Sequence, residues 1–146
     1  MTIIIIAAIV AVLVLWFIST QRNLVSKDEL CQNSMSQIGV QQQSRWDAIT
    51  SLVQLTKSYN EHEYNTLRDV IAQRKEISGT SGAAEAAGQE ELLTQAASRI
   101  RLVAEQYPEL KASETYTKTM DSVNSYENQV RVSRMVYNDS GTKFNR

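Results

Sequence analysis

Residues 24–77 read LVSKDELCQNSMSQIGVQQQSRWDAITSLVQLTKSYNEHEYNTLRDVIAQRKEI, with no proline and with Gly39 as the sole glycine. Gln, Leu, Glu, Lys and Arg, all good helix formers, dominate, so the stretch predicts long helix. Leu24, Cys31, Ile38, Leu52 and Tyr59 recur on a seven-residue frame, and Met35, Ile49 and Val70 fall on a second frame offset by four. That is the spacing of a face that packs in a helical bundle. The frame is imperfect, because Gln42 and Arg45 also land on it. Gly39 weakens the helix locally by about 1 kcal/mol relative to alanine without breaking it. Around Ser58 to Glu63 the apolar frame drifts, then resumes as Tyr64, Leu67, Val70, Ile71 and Arg74. A short turn and a continuous curved helix both fit that drift.

Upstream lies an uninterrupted apolar run, made up chiefly of Ile3, Ile4, Ile5, Ile6, Ile9, Val10, Val12, Leu13, Val14, Leu15, Trp16, Phe17 and Ile18. As a helix Ile3–Ile18 is about 24 Å long, and with its flanks roughly 30 Å, the thickness of a bilayer core. Trp16 and Phe17 stand at its end, where aromatic rings favour the headgroup layer, and Arg22 follows as a charged stop. A cleaved signal peptide would need a basic leader and a small-residue cleavage site. No Lys or Arg precedes Ile3, and Phe17-Ile18-Ser19 is a poor site. Residues 1–20 are therefore expected to be a retained anchor in the lipid bilayer of a cell membrane, crossed once. Arg22 and Lys27 on the C-terminal side place the following body, residues 21–146, in the cytoplasm by the positive-inside tendency.

Downstream, SGTSGAAEAAG at 78–88 holds three of the five glycines and reads as the linker, with the next helix starting near Gln89. Leu92, Ala96, Ile100 and Val103 mark one face of that helix. It is expected to end near Gln106, because Pro108 disfavours helical geometry at Tyr107. Ser113 is a plausible N-cap with Glu114 behind it. Tyr116, Met120, Val123, Val130 and Tyr137 make the final apolar face, and Asn138-Asp139-Ser140-Gly141 reads as a helix stop. No segment has strand periodicity, so the expected fold is all-α: an N-terminal transmembrane helix followed by an antiparallel long-helix bundle.

Composition narrows the function classes. Fifteen Lys and Arg are interspersed with 16 Asp and Glu, the net charge is −1 and the pI is about 5.9. A nucleic-acid binder shows a concentrated basic face, which is missing here. Cys31 is the single cysteine, which excludes an internal disulfide framework; it reads as a small, half-buried helix residue. His62-Glu63 resembles the start of a zinc-protease motif, but position 66 is Thr and the chain holds no second histidine. No metal site, cofactor site or catalytic set can be assembled from these residues. The sequon Asn138-Asp139-Ser140 is coincidental, and Trp46, Tyr59, Tyr64 and Tyr126 are spaced as packing aromatics.

A set of short motifs runs in order along the chain: Asn23-Leu24-Val25, Ser36-Gln37-Ile38, Val40-Gln41, Arg45-Trp46-Asp47-Ala48-Ile49-Thr50-Ser51-Leu52-Val53, Lys57-Ser58-Tyr59 and His62-Glu63. Tyr107-Pro108-Glu109-Leu110-Lys111-Ala112, Glu127-Asn128-Gln129-Val130, Arg134 and Tyr137-Asn138-Asp139 continue it. In order and spacing these pieces resemble the bacterial LemA family. The resemblance implies a short N-terminal tail, one membrane helix and a domain of long antiparallel helices; it implies no particular chemistry. Gly39 and Thr50 stand where the family usually has an acidic residue and a proline, so a helix irregularity there is expected to be softened. Family members continue beyond a tyrosine-asparagine pair that Phe144-Asn145 resembles, so a C-terminal truncation is among the expectations.

Polar residues on or beside the apolar faces form the one candidate cluster: Gln42, Arg45, Asp47, His62 and Glu63, with Glu127, Asn128, Arg134 and Asn138. Glu127 and Arg134 lie seven apart on the final apolar face, so both are expected to point inward. Burying charge is costly unless it is paired, so the expected role is an interhelix network that fixes register. Two function classes remain. One is a non-enzymatic scaffold or interaction module that docks an unidentified membrane or membrane-proximal protein, with self-association open to a small core. The other is a sensing or ligand-binding module that uses the polar cluster.

Overall fold

The computed structural model describes residues 1–144; Asn145 of the Phe144-Asn145 pair lies outside them. Helix α1 spans Thr2–Thr56, α2 Glu61–Ile71, α3 Ala83–Gln106, α4 Pro108–Lys111 and α5 Glu114–Phe144. No strand occurs among the described residues, and the fold is all-α. At 1.5 Å per residue α1 is about 80 Å long. It runs from the apolar N-terminal segment into the packed body without a break near residue 20. Its first 25 residues, Thr2–Ser26, are solvent-exposed within the chain, and its first buried residue is Ser34. Within α1 lies the one segment among the described residues that is long and apolar enough to cross a membrane, and none of it is covered by the rest of the protein.

The drifting frame near Ser58 resolves into a tight turn rather than a continuous helix. Tyr59 and Asn60 both donate backbone N–H bonds to the Thr56 carbonyl. Asn60 then caps α2, its Oδ1 accepting the Glu63 N–H at 3.0 Å, while Glu61 and Glu63 suit the positive end of the helix dipole. Residues 72–82 follow as the real connection, and α3 begins at Ala83, earlier than the expected start near Gln89. The carboxylate of Glu85 accepts the Gly82 N–H at 3.1 Å and holds that start, so of the expected linker 78–88 only residues 78–82 lie in the connection and 83–88 are helix. Helix α3 ends at Gln106 and Pro108 opens α4, where its missing N–H costs nothing. Ser113 Oγ accepts the Tyr116 N–H at 3.4 Å at the start of α5.

The expected stop at Asn138–Gly141 is overturned, because α5 continues to Phe144. Tertiary contact outweighs the weak helix propensity of those residues. Ser140 is buried and its hydroxyl donates to the Val136 carbonyl, and Lys27 Nζ donates to the Lys143 carbonyl at 2.7 Å.

Contacts define the topology. Lys27 lies beside Lys143 and Arg45 beside Glu127, so α5 runs antiparallel to α1. Trp46 meets Gln89, and Tyr59 meets Tyr107 with ring centroids 5.5 Å apart, so α3 runs parallel to α1. Between them, α2 and residues 72–79 return along α1, with Arg74 on Asp47 and Ile77 on Gly39. A Cβ on Gly39 would lie 1.9 Å from the Ile77 carbonyl oxygen. The glycine that weakens the helix by propensity is therefore what lets the returning chain lie directly on it.

Apolar side chains form two clusters. The larger gathers Trp46, Ile49, Leu52, Leu67, Leu93, Ile100 and Val123 with their neighbours; the smaller holds Met35, Ile38, Ile77, Ala86 and Val130. Cys31 is half-buried.

Candidate functional site

The two apolar clusters are separated by a polar layer contributed by three helices. Its centre is Arg45, 0% exposed, on the face of α1 that the seven-residue spacing assigns to packing. Nη1 of Arg45 donates to Glu90 Oε1 on α3, and Nη2 donates to Glu127 Oε2 on α5 at 3.0 Å. Gln42, one turn earlier on α1, donates from Nε2 to the Ala86 carbonyl at 2.9 Å and to Glu90 Oε2 at 3.1 Å. Both oxygens of Glu90 are thereby engaged, and the layer presents no free carboxylate at its centre. Beside it, Gln89 accepts from Trp46 Nε1 at 3.2 Å and from the Lys75 N–H at 2.8 Å, and donates to the Gln73 carbonyl at 3.2 Å. One amide thus ties α1, α3 and the returning segment 72–79 together. Gln42 Oε1 and Arg45 Nε are buried without a partner among the described residues.

Such a layer demands one register. Sliding α3 or α5 by a turn would take a carboxylate away from a guanidinium that has no water to fall back on, at a cost of about 3–5 kcal/mol. Neighbouring apolar contacts discriminate far less between registers, since one aliphatic side chain replaces another with little loss.

The remaining residues expected in the cluster lie elsewhere. Asp47 is exposed and pairs with Arg74 at 2.7 Å. His62 is exposed on α2, and Glu63, half-buried, pairs with Arg99 at 3.4 Å. Asn128, Arg134 and Asn138 are exposed on α5. Arg134 is not the inward partner that its seven-residue distance from Glu127 predicted. The helix turns 700° in seven residues, so Arg134 is displaced from Glu127 around the axis, by about 20° on an ideal helix, towards the rim. It lines, with Thr94, Arg131, Met135 and Asn138, a shallow groove of about 320 Å³ between α3 and α5 whose floor includes Glu90 and Glu127.

Glu90 and Gln89 were not among the expected residues: Gln89 because the sequence places the helix start near it, and Glu90 because of the phase of the helix. The buried face of α3 is Ala86, Gln89, Leu93, Ala96, Ala97, Ile100, Val103 and Ala104, with Leu92 only half-buried. A face anchored on Leu92 leaves Glu90 outside; anchored on Leu93 and Ala97, it includes Glu90 at helical spacing. The signal was present in the alternation of Leu93, Ala97 and Ile100.

An apolar N-terminal helix continuing into an antiparallel helical body, pinned in register by one buried arginine between two glutamates, defines this as an all-α protein of the long-helix class, with one segment long and apolar enough to cross a membrane. The chain belongs to the LemA family, whose model matches residues 34–146. That match opens at the first buried residue of α1 and takes in the whole packed body. Among curated protein sequences none matches the chain.

Proposed function

We propose that this chain is a membrane-anchored, non-catalytic helical protein that works as a scaffold or protein-interaction module at the bacterial cell membrane. One observation carries the reading. Ile3–Ile18 is exposed on every side, yet the same helix goes on without interruption into the core of the body. Apolar surface all round a helix must be covered by something, and a bilayer of matching thickness covers it. Between Thr20 and Lys27, where the end of α5 meets α1, the helix rises about 10 Å, which holds the packed body off the lipid surface as one stiff element. Arg22 and Lys27 favour a cytoplasmic body. A partner already in the membrane then meets this surface at raised effective concentration.

The test is thiol accessibility on membranes from expressing cells, with Cys31→Ser as background and Thr80→Cys as reporter, Thr80 being exposed. Labelling by a membrane-impermeant reagent only after the membrane is opened supports the cytoplasmic body. Labelling of intact cells reverses the topology, and recovery of the protein outside the membrane fraction refutes the anchor.

A second reading, a ligand-binding module, is favoured by the groove between α3 and α5, where Arg131 and Arg134 flank the two layer carboxylates. Arg134 is exposed, so Arg134→Gln leaves folding intact under both readings and abolishes binding only under the second.

A further inference from the structure

The seam between α1 and α5 on the side away from α3 has a composition unlike the rest of the surface. From Leu30 to Ser44, α1 carries no charged residue. Along Ser122–Val130 of α5 the only charge is Glu127, which turns inward to Arg45. Arg131 and Arg134 line the opposite groove, against α3. What the seam presents instead are amides, hydroxyls and aliphatics. One shallow groove is lined by Gln37 and Gln41 of α1 with Asn128, Gln129, Val132 and Ser133 of α5. A second continues it towards Ser44, Ala48 and Ser122. Neither groove is lined by α2, α3 or α4. Val132 and Val136 are exposed on this stretch of α5, at 57% and 44%. Charges return at the ends of the seam, with Asp47 and Lys118 at one and the Asp139–Lys143 pair at the other.

We propose that this seam is where two copies of the chain pair, face to face about a two-fold axis parallel to the helices. A two-fold interface sets each patch against itself, so every group near the axis meets its own kind. Charged groups fail that condition, whereas amides and hydroxyls both donate and accept and so satisfy it. Depletion of charge at the centre with charges at the rim is the anatomy of a protein interface. The axis direction follows from the helices. Such a rotation places α1 of one copy beside the antiparallel α5 of the other and leaves both apolar N-terminal segments side by side, pointing the same way. The seam is roughly 30 Å long and two helices wide, about 600 Å² per copy against roughly 800 Å² for a standard interface. Confinement in one bilayer makes up the difference, so the proposal rests on the anchored reading above.

The experiment is cross-linking of the full chain in membranes of expressing cells with a short bis-maleimide, in the Cys31→Ser background. Single cysteines are placed at Gln41 and Gln129 on the seam and at Gln95 on the exposed side of α3. A covalent dimer at both seam positions, about fivefold or more above that at Gln95, is expected. Adding Gln129→Lys to the Gln41→Cys chain sets like charges against each other and should lower the dimer about tenfold, with unchanged circular dichroism. Equal cross-linking at all three positions, none at the seam, or capture of a different protein there overturns self-pairing. Alkaline extraction of the same membranes tests the anchor separately. If the chain is released, the anchored reading fails, and pairing is judged by the same three positions in the released protein.

Discussion

Arg45→Met removes the one cation buried between Glu90 and Glu127 while keeping most of the side-chain volume. Breaking a buried ion pair from one side costs about 3–5 kcal/mol, because the remaining charge is left uncompensated. Glu127 is 34% exposed and lies 3.8 Å from Arg131, so water and a second cation take up most of its loss. Glu90 is only 16% exposed and carries the rest, but it retains the bond from Gln42 Nε2. The expected loss is therefore at the lower end, about 3 kcal/mol, a large share of the stability of a small domain. Adding Glu90→Gln removes the stranded charge and should restore about 1–2 kcal/mol, so the double variant is more stable than the single one. The assay is urea unfolding of the full chain in mild detergent, followed by Trp46 fluorescence in a Trp16→Phe background. Trp46 is buried one residue from Arg45 and donates to Gln89, so it reports this layer directly. Arg45→Met within about 0.5 kcal/mol of the parent, or a double variant no better than the single, would refute the argument that an uncompensated Glu90 dominates.

Three further outcomes are expected. Gly39→Ala gains about 1 kcal/mol of helix propensity but drives a methyl group into the Ile77 carbonyl; the net is a loss of about 1–2 kcal/mol and faster hydrogen exchange across residues 72–79. Gln89→Ala leaves the Trp46 and Lys75 donors and the Gln73 carbonyl without their partner, costing about 2–3 kcal/mol and exposing the same segment to limited proteolysis, while Asp47→Asn, which breaks only an exposed pair, costs less than about 1 kcal/mol. Burial holds the Tyr116 phenol above the usual tyrosine range, with Arg101 and Lys111 drawing it down and Glu105 pushing it up. Its folded state therefore keeps the proton longer than the unfolded chain does, and the associated stability, fully present below about pH 10, is lost as pH rises through the folded value. Alkaline unfolding of Tyr116→Phe should accordingly show a shallower loss above pH 10 than the parent.

The local features that follow from backbone chemistry were legible in the sequence. Pro108 ends α3 at Gln106, Ser113 opens α5, and the absence of proline through residues 24–56 yields one long helix. The candidate site was legible only in part. Arg45 and Glu127 were found because both lie on strong apolar frames, whereas Asp47, His62, Glu63, Asn128, Arg134 and Asn138 share a region with them but point elsewhere. Sequence spacing gives a residue's angle around its own helix, and where the face is wide that angle does not separate centre from rim.

What the sequence determined by itself is the all-helical class, the helix end at Gln106, the helix start at Ser113 and the apolar N-terminal segment, because helix propensity, capping and hydrophobic runs act within a few residues of chain. The tertiary structure alone decided the rest. Asn138–Gly141 stays helical because α1 lies alongside. Gly39 proves useful only against a carbonyl 38 residues away. The partner of Arg45 on α3 depends on the phase of a helix more than 40 residues downstream. Each of these turns on which surfaces meet, and the free energy that selects them, burial of charge and of apolar area between distant segments, has no expression in the local sequence.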